Sequence, residues 1–230
     1  NGNGFVVSKS GEHRWVALTS RAKSVLCYDV ELTQGDQGEL KGKIKLDQAG
    51  YYAHAGRKKF QTKGKDDYIK DLINGRSWQI DNSTFTNDKE VSLPFKEVHE
   101  IVINDHVVAA DAIVYINPFV VSQLIENPFK SESRLYPIDF GSPLEKLYTC
   151  RITIPDGYMI DELPKSGILK LPENGAKYTY SLTQTGSVLV LSSRLQINNS
   201  LFTQDEYPDL REFYNLIVAK QAEQIVLKKK

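Results

Sequence analysis

The sequence predicts a mainly β chain of antiparallel β-sandwich type, organised as two β-rich halves that each carry one helix. Three observations predict it. Apolar residues alternate with polar ones at a period of two over most of the chain, the pattern of a half-buried strand. Tight-turn chemistry, as at Gln34-Gly35-Asp36-Gln37-Gly38 and Gln184-Thr185-Gly186, joins neighbouring runs. A helical period appears only at 66–74 and 207–221.

Residues 1–20 hold one strand candidate, Trp15 to Leu18, and otherwise suit the trailing edge of an upstream domain or a bare terminus. The first half, 21–130, opens on a strand from Val25 to Leu32. After the glycine-rich turn, Glu39 to Leu46 returns with Leu40, Ile44 and Leu46 on one face and three lysines on the other. Gly42 interrupts the apolar face and marks a candidate bulge. The stretch Gly50 to Arg57 suits either an extension of that strand or the start of a helix.

A short helix is expected over 66–74. Asp66 and Asp67 favour its positive end, and Tyr68, Ile69, Leu72 and Ile73 share a face. Asn74-Gly75 ends it with residues that tolerate a left-handed backbone. Strands follow at Trp78–Phe85, Lys96–Ile103 and Ala110–Ile116, all rich in β-branched or alternating residues. The proline-punctuated stretch 127–141 is the candidate boundary between the halves.

The second half, 131–230, gives strands at Tyr148–Ile154, Tyr158–Asp161, Ala176–Gln184 and Ser187–Ile197. Val188-Leu189-Val190-Leu191 is apolar on both faces, as in a strand covered on each side. Thr203 and Glu206 have capping-box spacing before the helix at 207–221, and Pro208 falls in its first turn. Leu210, Phe213, Tyr214 and Ile217 form its stripe, and Gln224–Leu227 reads as a last strand.

Lys+Arg and Asp+Glu both count 29, so the chain lacks the basic field of a nucleic-acid binder. No run approaches the ~18 apolar residues of a membrane helix. Asn1-Gly2-Asn3-Gly4 has no signal-peptide character, and neither nucleic acid nor membrane insertion is expected. Cys27 and Cys150 each sit in an alternating stretch; the two are either separate buried thiols or a disulfide across the halves.

His99 and His106, with Glu100, Asp105 and Asp111 nearby, are the one metal candidate. Their spacing places the rings on opposite faces of a continuous strand. A hairpin at Asn104-Asp105 could bring them together, but no acid stands at a third-ligand spacing, so no metal is expected. Both cysteines sit mid-strand, away from a helix N-terminus, and no nucleophile, zinc or nucleotide motif appears. No catalytic residue and no cofactor is therefore expected. Trp15, Trp78 and Tyr115 are the aromatics that could face a ligand, as a sugar-stacking platform; at strand spacing such rings more often pair across strands or fill a core.

Arg134-Leu135-Tyr136-Pro137-Ile138-Asp139-Phe140 is followed by Ile154-Pro155-Asp156-Gly157-Tyr158 and Glu162-Leu163-Pro164. Glu206-Tyr207-Pro208-Asp209-Leu210-Arg211-Glu212-Phe213 and a closing Gln224-Ile225-Val226-Leu227-Lys228-Lys229 complete the series. This order resembles the β-rich C-terminal domain of unknown function that follows a transglutaminase-like core in large exported bacterial proteins. Gly38–Gly42 and Gly50–Ala53 resemble the segment linking core to tail there.

The resemblance implies that the catalytic residues lie upstream and that none of the positions here carries chemistry. It further implies a periplasmic or cell-surface location, with the upstream transglutaminase-like domain of the same polypeptide as partner. The expected function is a non-catalytic structural or interaction module that meets protein or glycan, with a carbohydrate-binding module as the alternative.

Overall fold

A computed structural model describes residues 2–18, 22–35, 38–104, 106–110 and 112–230. The chain begins with a hairpin, β1 (Asn3–Val7) and β2 (His13–Ala17), which forms a two-stranded sheet by itself. Next come β3 (Ser24–Gln34), β4 (Leu40–Ala49), helix α1 (Tyr51–Ile73), β5 (Trp78–Thr86) and β6 (Phe95–Ile103). Then follow β7 (Val107–Ala110), β8 (Ile113–Ile116), β9 (Ile138–Asp139), β10 (Leu144–Thr153) and β11 (Tyr158–Glu162). The chain ends with β12 (Gly167–Lys170), β13 (Ala176–Thr185), β14 (Val188–Ile197), β15 (Leu201–Phe202), α2 (Tyr207–Ala222) and β16 (Ile225–Lys229).

The fold is mainly β, with two helices and sandwich-like layers, as the sequence predicts. The largest sheet runs β12-β13-β14-β10-β3-β4-β6-β5. Every pair in it is antiparallel except β3 with β10, which are parallel. That one pair joins the chain's two halves into a continuous sheet, with Val30 level with Cys150. A second sheet runs β11-β16-β8-β7, and β15 pairs with β9.

One apolar core unites the layers. Ile152, Tyr178, Leu189 and Leu191 come from the large sheet, Val114, Ile116, Ile225 and Leu227 from the second, and Leu210, Phe213 and Ile217 from α2. The stripe read from the sequence is therefore the buried face of α2. Its start is tied as the spacing predicts: Thr203 N donates to Glu206 Oε2 at 2.7 Å, and Glu206 N donates to Thr203 Oγ1 at 3.4 Å.

The structure corrects the reading in four places. The helix expected over 66–74 is the second arm of α1, which starts at Tyr51 and breaks at Gly64 (φ 76°, ψ 169°). Gly50 (φ 63°) turns the chain out of β4, and Ser24 Oγ accepts from Tyr51 N at 3.1 Å. The helical choice is thus made by a residue 27 positions away.

Gly42 makes no bulge, because β3 and β4 pair in unbroken register through Leu32 and Gly42. The glycine is there for space: a Cβ would stand 1.8 Å from the Glu31 carbonyl oxygen. The stretch Ala110–Ile116 splits between β7 and β8, which pair with each other. In β14, Leu189 and Leu191 are buried while Val188 and Val190 are only half-buried, so one face is covered rather than two.

Candidate functional site

The alternation in β6 turns Phe95, Glu97, His99, Ile101 and Ile103 to one side. All five are buried, so an acid and an imidazole lie in an otherwise apolar row. Such groups cost several kcal/mol unless bonded. Here they are bonded. Glu97 Oε1 accepts from Gln48 Nε2 at 2.6 Å and from Tyr68 OH at 2.7 Å. His99 Nε2 lies 3.1 Å from Glu97 Oε2, and Ser83 Oγ lies 2.7 Å from His99 Nδ1. Strand pairing sets the last contact, since Ser83 stands opposite His99 across β5 and β6.

Above this cluster, between α1 and the sheet, is a cavity of about 300 Å³. Its floor is Gln48, Glu97 and His99, and its walls include Tyr28, Tyr52, Tyr68, Trp78, Ile44 and Leu72. Burial, and then the Glu97 carboxylate, push the Tyr68 phenol far above its ordinary value. The same two causes raise Tyr28 to about 12.

Ser83, His99 and Glu97 occur in the bonding order of a hydrolytic triad. Ser83, however, is 5% exposed and does not line the cavity. Phe85 closes on the His99 ring at 5.7 Å. The arrangement secures a buried carboxyl group and keeps the Ser83 hydroxyl out of the cavity lining.

The residues singled out from sequence are dispersed. His106 belongs beside the second sheet, where its Nε2 bonds the Asn117 carbonyl, far in topology from His99. Asp105 and Asp111 lie outside the described residues. Among the described residues, no three His, Cys, Asp or Glu side chains gather to hold a metal. Cys27 and Cys150 are separate thiols, Cys150 buried and Cys27 half-buried. Burial raises Cys150 to about 12.

Trp15, Trp78 and Tyr115 lie on three different sheets. Trp78 is buried under the Arg76 guanidinium, 4.4 Å from its ring, and Tyr115 is half-buried. Trp15 alone is open, at 68% exposure. It stands opposite Phe5 on the β1–β2 hairpin, with ring centroids 5.0 Å apart. Val6, Val7 and Leu18 are exposed there as well.

Sequence reasoning missed Glu97, Gln48 and Ser83. The available signal was an acid and a histidine two apart at inward positions of a strand; nothing local pointed to Gln48 or Tyr68 as their partners.

These features define a β-rich module with an internal polar cluster and a separate, solvent-facing apolar hairpin. Residues 112–227, half of the chain, match a domain of unknown function with a solved structure, DUF3858, and the chain belongs to that family. A crystal structure described as "a putative protease from Parabacteroides distasonis" is similar at 16% identity and a TM-score of 0.44. The similarity covers 52% of this chain and 24% of that one. No curated protein matches the chain.

Proposed function

We propose that this chain is a non-catalytic interaction module that packs against a partner domain through the β1–β2 hairpin. The observation that carries the reading is the hairpin's apolar surface. Phe5, Val7 and Trp15 are more than half exposed on a sheet of only two strands. An isolated two-stranded hairpin is marginal in water and gains most from a covering surface. The neutral charge balance suits protein contact rather than a polyanion.

The partner proposed is a transglutaminase-like domain placed upstream in the same periplasmic or cell-surface polypeptide, on the strength of the sequence resemblance. The test compares acrylamide quenching of Trp15 in the separate chain and in a chain carrying that domain. Protection of Trp15 in the longer chain, lost in a Phe5→Ser variant, supports the proposal. Equal quenching in both overturns it. The Phe5–Trp15 pair also offers a stacking surface to a sugar ring, which is the alternative; glycan-array binding that disappears in Trp15→Ala would favour it.

A further inference from the structure

We infer that the cavity beneath α1 is a binding site for a small organic cation, an ammonium group on a compact apolar or aromatic body. Four observations carry this, and none involves the hairpin. The first is size and shape: about 300 Å³ is the low end for small-molecule sites. The second is the wall, where Tyr28, Tyr52, Tyr68 and Trp78 contribute aromatic rings. Such rings attract cations through their faces.

The third is the floor, which is built to accept hydrogen bonds. Glu97, 1% exposed, has about four lone-pair sites and receives donors from Gln48, Tyr68 and His99. The Gln48 amide nitrogen is spent on Glu97, and its oxygen takes part in none of these bonds. That oxygen lies beside Gly56, where a Cβ would come within 2.7 Å of it. The glycine keeps room for an acceptor that a larger residue would displace. A floor of carboxylate and amide oxygens favours a donor and repels an anion.

The fourth is charge. The one basic group within hydrogen-bond distance of Glu97 among the described residues is His99, at 3.1 Å. The neighbouring cations are held by other groups, two of them against rings of this wall. Lys59, on the rim, is paired with Asp71 at 3.2 Å and lies 5.2 Å from the Tyr68 ring centroid, and Arg76 lies 4.4 Å from the Trp78 ring. Arg57 donates to the carbonyls of Asn87, Glu90 and Leu93. A bound ammonium would place a compensating charge and further donors beside the buried carboxyl group.

The test titrates the chain with benzylammonium and its isosteres benzyl alcohol and benzoate, followed by Trp78 fluorescence and by calorimetry. The expected result is saturable binding of benzylammonium at millimolar concentration or tighter, at least tenfold weaker binding of the alcohol, and none of benzoate. Glu97→Gln should remove the preference for the cation. Because that variant can also loosen the core, Ala55→Trp supplies a second arm: Ala55 is exposed on the rim, and a large ring there should block entry without touching the floor. No saturable binding to the folded chain overturns the inference. So does equal binding of amine and alcohol, which would mark an apolar void only, or binding unchanged in Ala55→Trp.

Discussion

Gly42→Ala adds one methyl group at the centre of the largest sheet, and the structure sets its cost. The new Cβ would stand 1.8 Å from the Glu31 carbonyl oxygen and 2.8 Å from its carbon, closer than real Cβ atoms approach. The neighbour is backbone, so rotating a side chain cannot relieve the clash. β3 and β4 must part locally. Two flanking ladder bonds would weaken, at about 0.5–1.5 kcal/mol each. Leu32, Leu40 and Ile44, all buried, would shift as in an overpacked core, for about 1–3 kcal/mol more. The sum, about 2–6 kcal/mol, is a large share of a typical 5–15 kcal/mol stability.

Urea unfolding followed by circular dichroism measures it. With a slope of about 2–3 kcal/mol/M, the midpoint should fall by about 1–3 M. Gly167→Ala is the control. It sits on edge strand β12 with an ordinary φ, and a methyl carbon added there would meet nothing within 4 Å. The same chemical change should then be neutral, or stabilise by about 0.4–1 kcal/mol through the unfolded chain. A Gly42→Ala midpoint within error of the control would refute the close-approach argument.

Arg57→Ala should destabilise by about 2–4 kcal/mol in the same assay, because three loop carbonyls lose a buried charged donor; Arg57→Lys should recover only part, lacking the planar fork. Thr203→Ala should cost about 1 kcal/mol by breaking the box before α2. Stability should also fall in alkali. Burial raises Cys150 from 9.0 to about 12, and burial followed by the Glu97 carboxylate raises Tyr28 from 10.0 to about 12. Between pH 9 and 12 the unfolded chain therefore holds fewer protons than the folded one. The contribution is complete below that window and declines through it, at up to about 1.4 kcal/mol per pH unit per group. A urea midpoint that stays flat from pH 9 to 12 would contradict this.

The strands and α2 were legible because burial followed period. Leu40, Ile44 and Leu46 face inward in β4, and the four stripe residues of α2 are all buried. The first arm of α1 was not, because burial there does not follow hydropathy. Ala53, Arg57 and Tyr68 are the buried residues of α1, while Tyr51 is exposed. No amphipathic stripe marks that arm in the sequence. The parallel pairing of β3 with β10 was equally hidden, since partners such as Tyr28 and Tyr148 are far apart in the chain and carry no local signal. Half of the polar cluster was readable, as Glu97 and His99 at inward positions of β6. The other half, Gln48 and Tyr68, arrives from elements whose placement only the tertiary fold decides.

The same polar residues that escaped notice hold the cavity's roof. At its start α1 is tied by Tyr51 N to Ser24 Oγ, and Ser24 Oγ lies 2.9 Å from Ser142 Oγ at the seam with β10. Midway, Arg57 fastens it to the loop before β6. Beyond the break at Gly64, Tyr68 reaches Glu97. These directional bonds add to a ring cluster in which Phe60 lies 4.4 Å from Phe85 and 5.8 Å from Phe95. Glu97 therefore does two things at once: it anchors the second arm of α1, and it offers the remaining acceptor capacity beneath it. A cation that drew on that capacity would act on the same carboxylate that Tyr68 and Gln48 hold, so Glu97→Gln tests the anchor and the floor together.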